Sequence, residues 1–155
     1  MLWMHKTYFL TVLDKDAKEV QELLQNPAID INKPYEAGVP PIPSGYTALH
    51  IAAAFPSYPE SVADKKIALL QSLLTAGAQV NAIDNEGRSA LFYARTPERA
   101  KVLLQHGADT SIQDKYGLTP VAYLGWLIAL APNKIAASDK QRVQELIKQY
   151  LQASV

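Results

Sequence analysis

The segment Gly77-Ala78-Gln79-Val80-Asn81-Ala82-Ile83-Asp84 returns thirty residues later as Gly107-Ala108-Asp109-Thr110-Ser111-Ile112-Gln113-Asp114. Each copy runs into a second shared phrase, Asn85 to Leu91 after the first and Lys115 to Val121 after the second. Self-similarity at this period describes stacked supersecondary units, each burying its apolar face against a neighbour. It argues against a globule built around a single pocket.

Local signals say what each unit contains. Thr47 and Thr119 are helix N-cap residues, and Pro120 stands at the first helical position, where its missing N–H costs nothing. Gly77 and Gly107 follow the pairs Leu73-Leu74 and Leu103-Leu104 closely enough to supply the left-handed residue that ends a helix. Between the helices of successive units, Val80 to Gly87 is polar and turn-rich, with Gly87 permitting a tight reversal.

One opening phrase and three versions of a closing phrase carry a family resemblance. The opener is Gly45-Tyr46-Thr47-Ala48-Leu49-His50-Ile51-Ala52-Ala53. The closer is Leu73 to Asp84, repeated from Leu103 to Asp109 and, more weakly, from Leu23 to Asn32. The chain resembles the ankyrin repeat family. The resemblance implies an all-α, helix-turn-helix solenoid of about four stacked repeats with projecting hairpin loops. The expected units are 1–33, 34–84, 85–114 and 115–155, within one domain spanning 1–155. It also implies that His50 hydrogen-bonds the backbone of an adjacent hairpin, and Ala122 stands where the fourth unit would carry that histidine.

Departures from the repeat are expected to shape function. The first hairpin, Lys33 to Ser44, is about seven residues longer than the family pattern and rich in proline. It reads either as a preformed binding finger or as a loop folded over the flank of the stack. A second insertion, Phe55 to Lys66, separates the helices of the second unit, with Glu60 or Ser61 expected to start the helix through Leu74. The third unit is abbreviated, with Thr96 as cap and Pro97 at the first helical position. Asp16 to Glu19 and Ser138 to Gln141 have capping-box spacing, and each is expected to open an outer helix of a terminal unit. In the last unit a long apolar first helix, Val121 to Ala131, is expected to stop at Pro132 and Asn133.

Composition excludes several functions. Lys plus Arg equals Asp plus Glu at fifteen each, so there is no overall field to hold nucleic acid or an anionic membrane. The absence of cysteine removes disulfides, thiolate metal sites and cysteine nucleophiles, and suits a cytoplasmic location. Lys6 interrupts the apolar amino terminus, which reads as the first helix of a capping unit and not as a signal peptide. No uncharged run reaches the length of a membrane span. Histidines 5, 50 and 106 have no metal-ligand spacing, and His106 stands at a helix end where a cation suits the dipole. Asp14 and Asp16 read as a turn residue and a cap, not a catalytic pair, and no phosphate loop, nucleophile elbow or dinucleotide fingerprint occurs. No enzyme, cofactor or metal is expected.

Recognition by surface remains. The resemblance implies protein binding through hairpin tips and the exposed side of the first helices. By position the tips offer Tyr35, Glu36, Ile42, Tyr46, Ile83, Asn85, Glu86, Arg88, Lys115, Tyr116 and Leu118. The helical face offers Ile51, Phe55, Tyr93, Arg95, Tyr123 and Trp126, the last two also suited to filling the groove of a terminal unit. Tyr, Trp and Arg dominate this set, as they dominate interface energetics. The expected partner is a protein, engaged by a chain that is monomeric when unbound. The reading is a cytoplasmic binding module, with inhibition of a toxin or effector enzyme as one form of it. An adaptor bridging two proteins is the alternative and an enzyme a distant one.

Overall fold

A computed structural model describes residues 17–36, 45–55, 65–131 and 133–153. Among these residues the chain forms six α-helices and one 3-10 helix, and no strand. In order they are α1 (Ala17–Leu24), α2 (Ala48–Ala54), α3 (Lys65–Thr75), the 3-10 helix (Ala90–Tyr93), α4 (Pro97–Gln105), α5 (Pro120–Ala129) and α6 (Lys134–Ala153). They pack as two adjoining rows. α2, the 3-10 helix and α5 touch in sequence along one row, while α1, α3, α4 and α6 follow one another along the second. Across the rows α2 packs on α3, the 3-10 helix on α4, and α5 on α6.

The core lies between the rows. Leu49 and Ile51 from α2 meet Leu69, Leu70 and Leu73 from α3, and the pattern continues through Leu91, Leu103, Leu124, Val143 and Ile147. These side chains fall at helical spacing because each helix buries one stripe. Burial of this continuous cluster supplies the main stabilising force, at about 25 cal/mol per Å² of apolar surface removed from water.

Helix ends follow the expected chemistry. The Thr96 hydroxyl accepts from Arg99 N–H, the Thr119 hydroxyl from Ala122 N–H, and Pro97 and Pro120 occupy first helical positions. Gly77 and Gly107 adopt φ of 98° and 85°. In both, the next residue returns to the carbonyl five back, Ala78 to Leu73 at 2.9 Å and Ala108 to Leu103 at 3.0 Å. The glycine itself bonds Leu74 or Leu104, completing a Schellman closure of α3 and of α4. His106, capping α4, directs Nδ1 at the carbonyl of Val102, 2.8 Å away.

Several expectations are corrected. The first helix of the third unit is one turn of 3-10 helix, because the abbreviated sequence brings Pro97 and its extended cap Thr96 directly after Tyr93-Ala94-Arg95. Ser138 lies inside α6 and caps nothing: the helix already opens at Lys134, four residues earlier. The outer stripe of α6 is only partly covered, for Val143 and Ile147 are buried but Tyr150 and Leu151 are 37% and 41% exposed. The N-terminal segment through Asp16, the loop apex 37–44, the insertion 56–64 with the proposed start of α3, and Pro132 lie outside the described residues.

One buried cation was not legible in the pattern. Arg99 is 1% exposed, and its Nη1 donates to the carbonyls of Ala52, Ala53 and Phe55 at 3.2, 3.1 and 2.7 Å. These carbonyls end α2, where no following turn of helix offers N–H groups to them. The guanidinium thereby closes the C-terminus of one helix from the next pair.

Candidate functional site

Two asparagines and two aspartates set the tips. Asn32 donates Nδ2–H to the carbonyl of Gly77 at 3.2 Å and accepts from Gln79 N–H at 2.8 Å. Asn81 repeats the same pair of bonds to Gly107 and Asp109, at 3.2 and 2.8 Å. Each asparagine satisfies the exposed backbone of the next closing phrase and fixes one tip against the following one. At the corresponding place Ser111 turns back on Asp109, so the bridge is not passed on.

Asp84 and Asp114 organise the reversals themselves. Oδ1 of Asp84 accepts from Glu86 and Arg88 N–H at 2.8 and 3.0 Å. Oδ1 of Asp114 accepts from Tyr116 and Leu118 N–H, both at 2.9 Å. The second oxygens reach outward: Tyr93 donates its hydroxyl to Asp84 Oδ2 at 2.6 Å, and Arg88 Nε donates to Asp114 Oδ2 at 2.9 Å. Burial pushes the Asp114 carboxyl up, but the N–H groups of Leu118 and Tyr116 and the Arg88 guanidinium prevail and hold it below the usual range. Both carboxylates are thus spent on holding loops.

Behind the tips runs a row of aromatic rings. Tyr46 and Tyr93 lie 5.1 Å apart, Tyr93 and Tyr123 6.2 Å, and Tyr123 and Trp126 6.0 Å. The Arg88 guanidinium sits 4.2 Å from the Tyr123 ring centroid, within cation–π range, while bonded to Asp114. Burial pulls the Arg88 pKa down, but its contacts with Tyr93 and Asp114 more than reverse this, so the side chain stays charged. Burial raises the Tyr46 hydroxyl to about 12, and burial together with the Asp84 contact raises Tyr93 still further. The tyrosines therefore act as neutral donors.

His50 ties α2 to the next tip. Its Nδ1 accepts from Thr47 N–H at 3.1 Å and lies 2.9 Å from the Thr47 hydroxyl, while Nε2 is 2.9 Å from the carbonyl of Arg88. A neutral ring with its proton on Nε2 satisfies all three contacts. Burial lowers its basicity, against the pull of the Arg88 carbonyl and of Asp84. In the third unit Phe92 takes this position and Ser89 takes that of Thr47, so Ser89 Oγ is buried without a partner.

Sequence-selected residues fall into three groups. Tyr35, Tyr46 and Ile51 are 6%, 7% and 0% exposed, a correction to their placement on an open face. Tyr35 is drawn in because its backbone pairs with Tyr46 and Gly45, at 2.8 and 2.7 Å, closing the base of the long loop. Ile51 lies on the side of α2 that meets the core. Phe55, Glu86, Arg88, Tyr93 and Leu118 are half-buried, and Tyr123 is buried against Phe92 and Tyr93. Glu36, Ile83, Asn85, Arg95, Lys115, Tyr116 and Trp126 are exposed, and Ile42 lies outside the described residues.

The exposed and half-buried groups converge at one place. Glu86, Arg88, Tyr116, Leu118, Tyr123 and Trp126 line an open recess of about 560 Å³ between the 84–88 and 114–118 reversals and α5. Tyr116 and Trp126, 67% and 51% exposed, form its free walls. Lys115 braces the rim through Glu86, with Nζ 2.7 Å from Oε1 and a backbone bond of 2.9 Å. Among the described residues no cluster of His, Cys, Asp and Glu gathers to hold a metal, and no helix is long and apolar enough to cross a membrane.

Residues 44–85 match the family model of the ankyrin repeat, which supports an ankyrin-repeat family for the chain. Proteins of this family generally serve as protein–protein interaction modules. The closing devices of that segment recur beyond it, in the Schellman turn at Gly107 and the reversal at Asp114. No curated protein matches the chain.

Proposed function

We propose that this chain is a non-enzymatic, cytoplasmic stack of four repeats that binds one protein partner through the hairpin tips and adjoining first helices of its second to fourth units. The recess carries this reading. Its walls, Tyr116 and Trp126, offer large ring surfaces, while Tyr123 and Arg88 behind them are held together by a cation–π contact and by the Arg88 bond to Asp114. Rigid aromatic anchors lose little conformational freedom on binding, which concentrates affinity in a few residues. Catalysis has less support, because Asp84 and Asp114 each spend both oxygens on fixed donors and His50 spends both nitrogens.

Within the binding class, one form is an inhibitor that acts by covering a surface of a toxin or effector enzyme; the alternative is an adaptor that bridges two proteins. The test starts from the stoichiometric partner retained by the tagged chain in its own cell and identified by mass spectrometry. Isothermal titration then compares Tyr116→Ala and Trp126→Ala with Lys101→Ala and Gln71→Ala on the second row. The first pair is expected to cost about 1–4 kcal/mol each, and the second pair to be near neutral. The reverse ranking removes the assignment. One partner enzyme inhibited at equimolar ratio supports the inhibitor, whereas two unrelated proteins bound together support the adaptor.

A further inference from the structure

We propose that the recess lined by Glu86, Arg88, Tyr116, Leu118, Tyr123 and Trp126 seats a basic side chain, arginine or lysine, of the protein partner. The inference rests on the binding reading above and names the chemistry of its anchor.

Three observations support a cation. The rings of Tyr116, Tyr123 and Trp126 line the recess, and aromatic faces attract ammonium and guanidinium groups through the negative side of their quadrupole. The chain already uses one of them in this way, with the Arg88 guanidinium 4.2 Å from the Tyr123 centroid. At the rim, Lys115 Nζ stands 5.2 Å from the Tyr116 ring while bonded to Glu86, so the carboxylate and ring there already hold an ammonium together.

Charge accounting points the same way. On the two reversals that flank the recess, Asp84, Glu86 and Asp114 stand against Arg88 and Lys115, three negative charges to two, with Asp84 and Asp114 buried behind the lining. Arg88 is neutralised by Asp114 and Lys115 by Glu86, so the surplus resides on Asp84, whose donors are the Tyr93 hydroxyl and backbone N–H groups. An entering guanidinium would stack on Trp126 and compete with Lys115 for Glu86. An entering carboxylate would meet Glu86 and three ring faces, while the Arg88 charge is already answered by Asp114. A volume of about 560 Å³ lies in the range of ligand-binding clefts and leaves room for a long side chain and the backbone that carries it.

The test uses the full chain labelled with 15N and three probes of equal backbone: N-acetyl-argininamide, N-acetyl-leucinamide and the amide of N-acetyl-glutamate, its side chain ionised. The arginine probe is expected to give a saturable shift of the Trp126 indole N–H and of the Tyr116 and Glu86 amides, weakened by added salt. Glu86→Gln and Trp126→Ala should each weaken it by about two- to fivefold, the scale of one exposed cation–π contact. Lys115→Ala should strengthen it, because it frees Glu86 and removes a competing charge. Unchanged shifts elsewhere in the spectrum establish that each variant is folded. Tighter binding of the leucine or glutamate probe, weaker arginine binding in Lys115→Ala, or no saturable response to any probe overturns the proposal. If the probe fails while Tyr116→Ala and Trp126→Ala still weaken the partner, the surface reading stands and only the cation is wrong. If those variants leave partner affinity intact, both fall.

Discussion

Replacing Arg99 with methionine keeps most of the side-chain volume but removes a cation that holds the end of α2 from within the next pair. Nη1 serves three carbonyls, of which Ala53 also accepts the Arg95 N–H at 3.2 Å and keeps that bond. Ala52 and Phe55 lose the donor described for them. A polar group left unpaired away from water costs about 1–3 kcal/mol, so the two carbonyls together cost about 2–6 kcal/mol. Removing a buried charge also relieves its desolvation, which favours apolar substitutes where every partner is replaced as well; here the carbonyls stay behind. Each kcal/mol lowers Tm by about 2–4 °C in a domain of this size, giving a fall of at least about 4 °C. Urea unfolding of Arg99→Met, followed by circular dichroism, measures the difference. A loss below 0.5 kcal/mol, on the order of a neutral surface change, would refute the bridging role.

Removing the unpartnered hydroxyl by Ser89→Ala should stabilise the chain by about 1 kcal/mol, since no cap bond is lost; lower stability in thermal melts would show that the hydroxyl is satisfied. Asn81→Ala, which deletes two bonds between successive tips, should cost about 1–2 kcal/mol in denaturant titration, and no change would mean water replaces them fully. Burial holds the folded-state pKa of His50 below the ordinary imidazole value of 6.5, so its contribution is complete above pH 6.5 and is lost as pH falls from there through the folded-state pKa. Stability should drop between pH 7 and 5 by up to about 1.4 kcal/mol per pH unit, and His50→Gln should flatten that slope, whereas an unchanged slope assigns it to other groups.

Local chemistry made much of the fold legible. Caps at Thr96 and Thr119, closures at Gly77 and Gly107, and the apolar stripes of α3 and α4 depend on residues within one turn, so short phrases specify them. Interactions between units were harder to see. Arg99 sits in Pro97-Glu98-Arg99-Ala100-Lys101, which reads as a solvated face until α2 is placed beside it. Ser138 carried a good capping pattern, yet its neighbours continue an earlier helix. Repeat position alone puts Tyr35, Tyr46 and Ile51 on the surface, whereas the pairing of Tyr35 with Tyr46 and the packing of α2 bury them. The asparagine bridge has an available signal: Asn32 and Asn81 occupy the same place within their closing phrases, but the insertions put 45 residues between the first and its target and 26 between the second and its own.

Hydrogen–deuterium exchange of the chain with and without its recovered partner tests the central claim most directly. Binding through the tips and the first row predicts added protection at residues 83–88, 114–118 and along α5, with α1 and the outer sides of α3 and α4 unchanged. Protection confined to α1, α3 and α4 would contradict it.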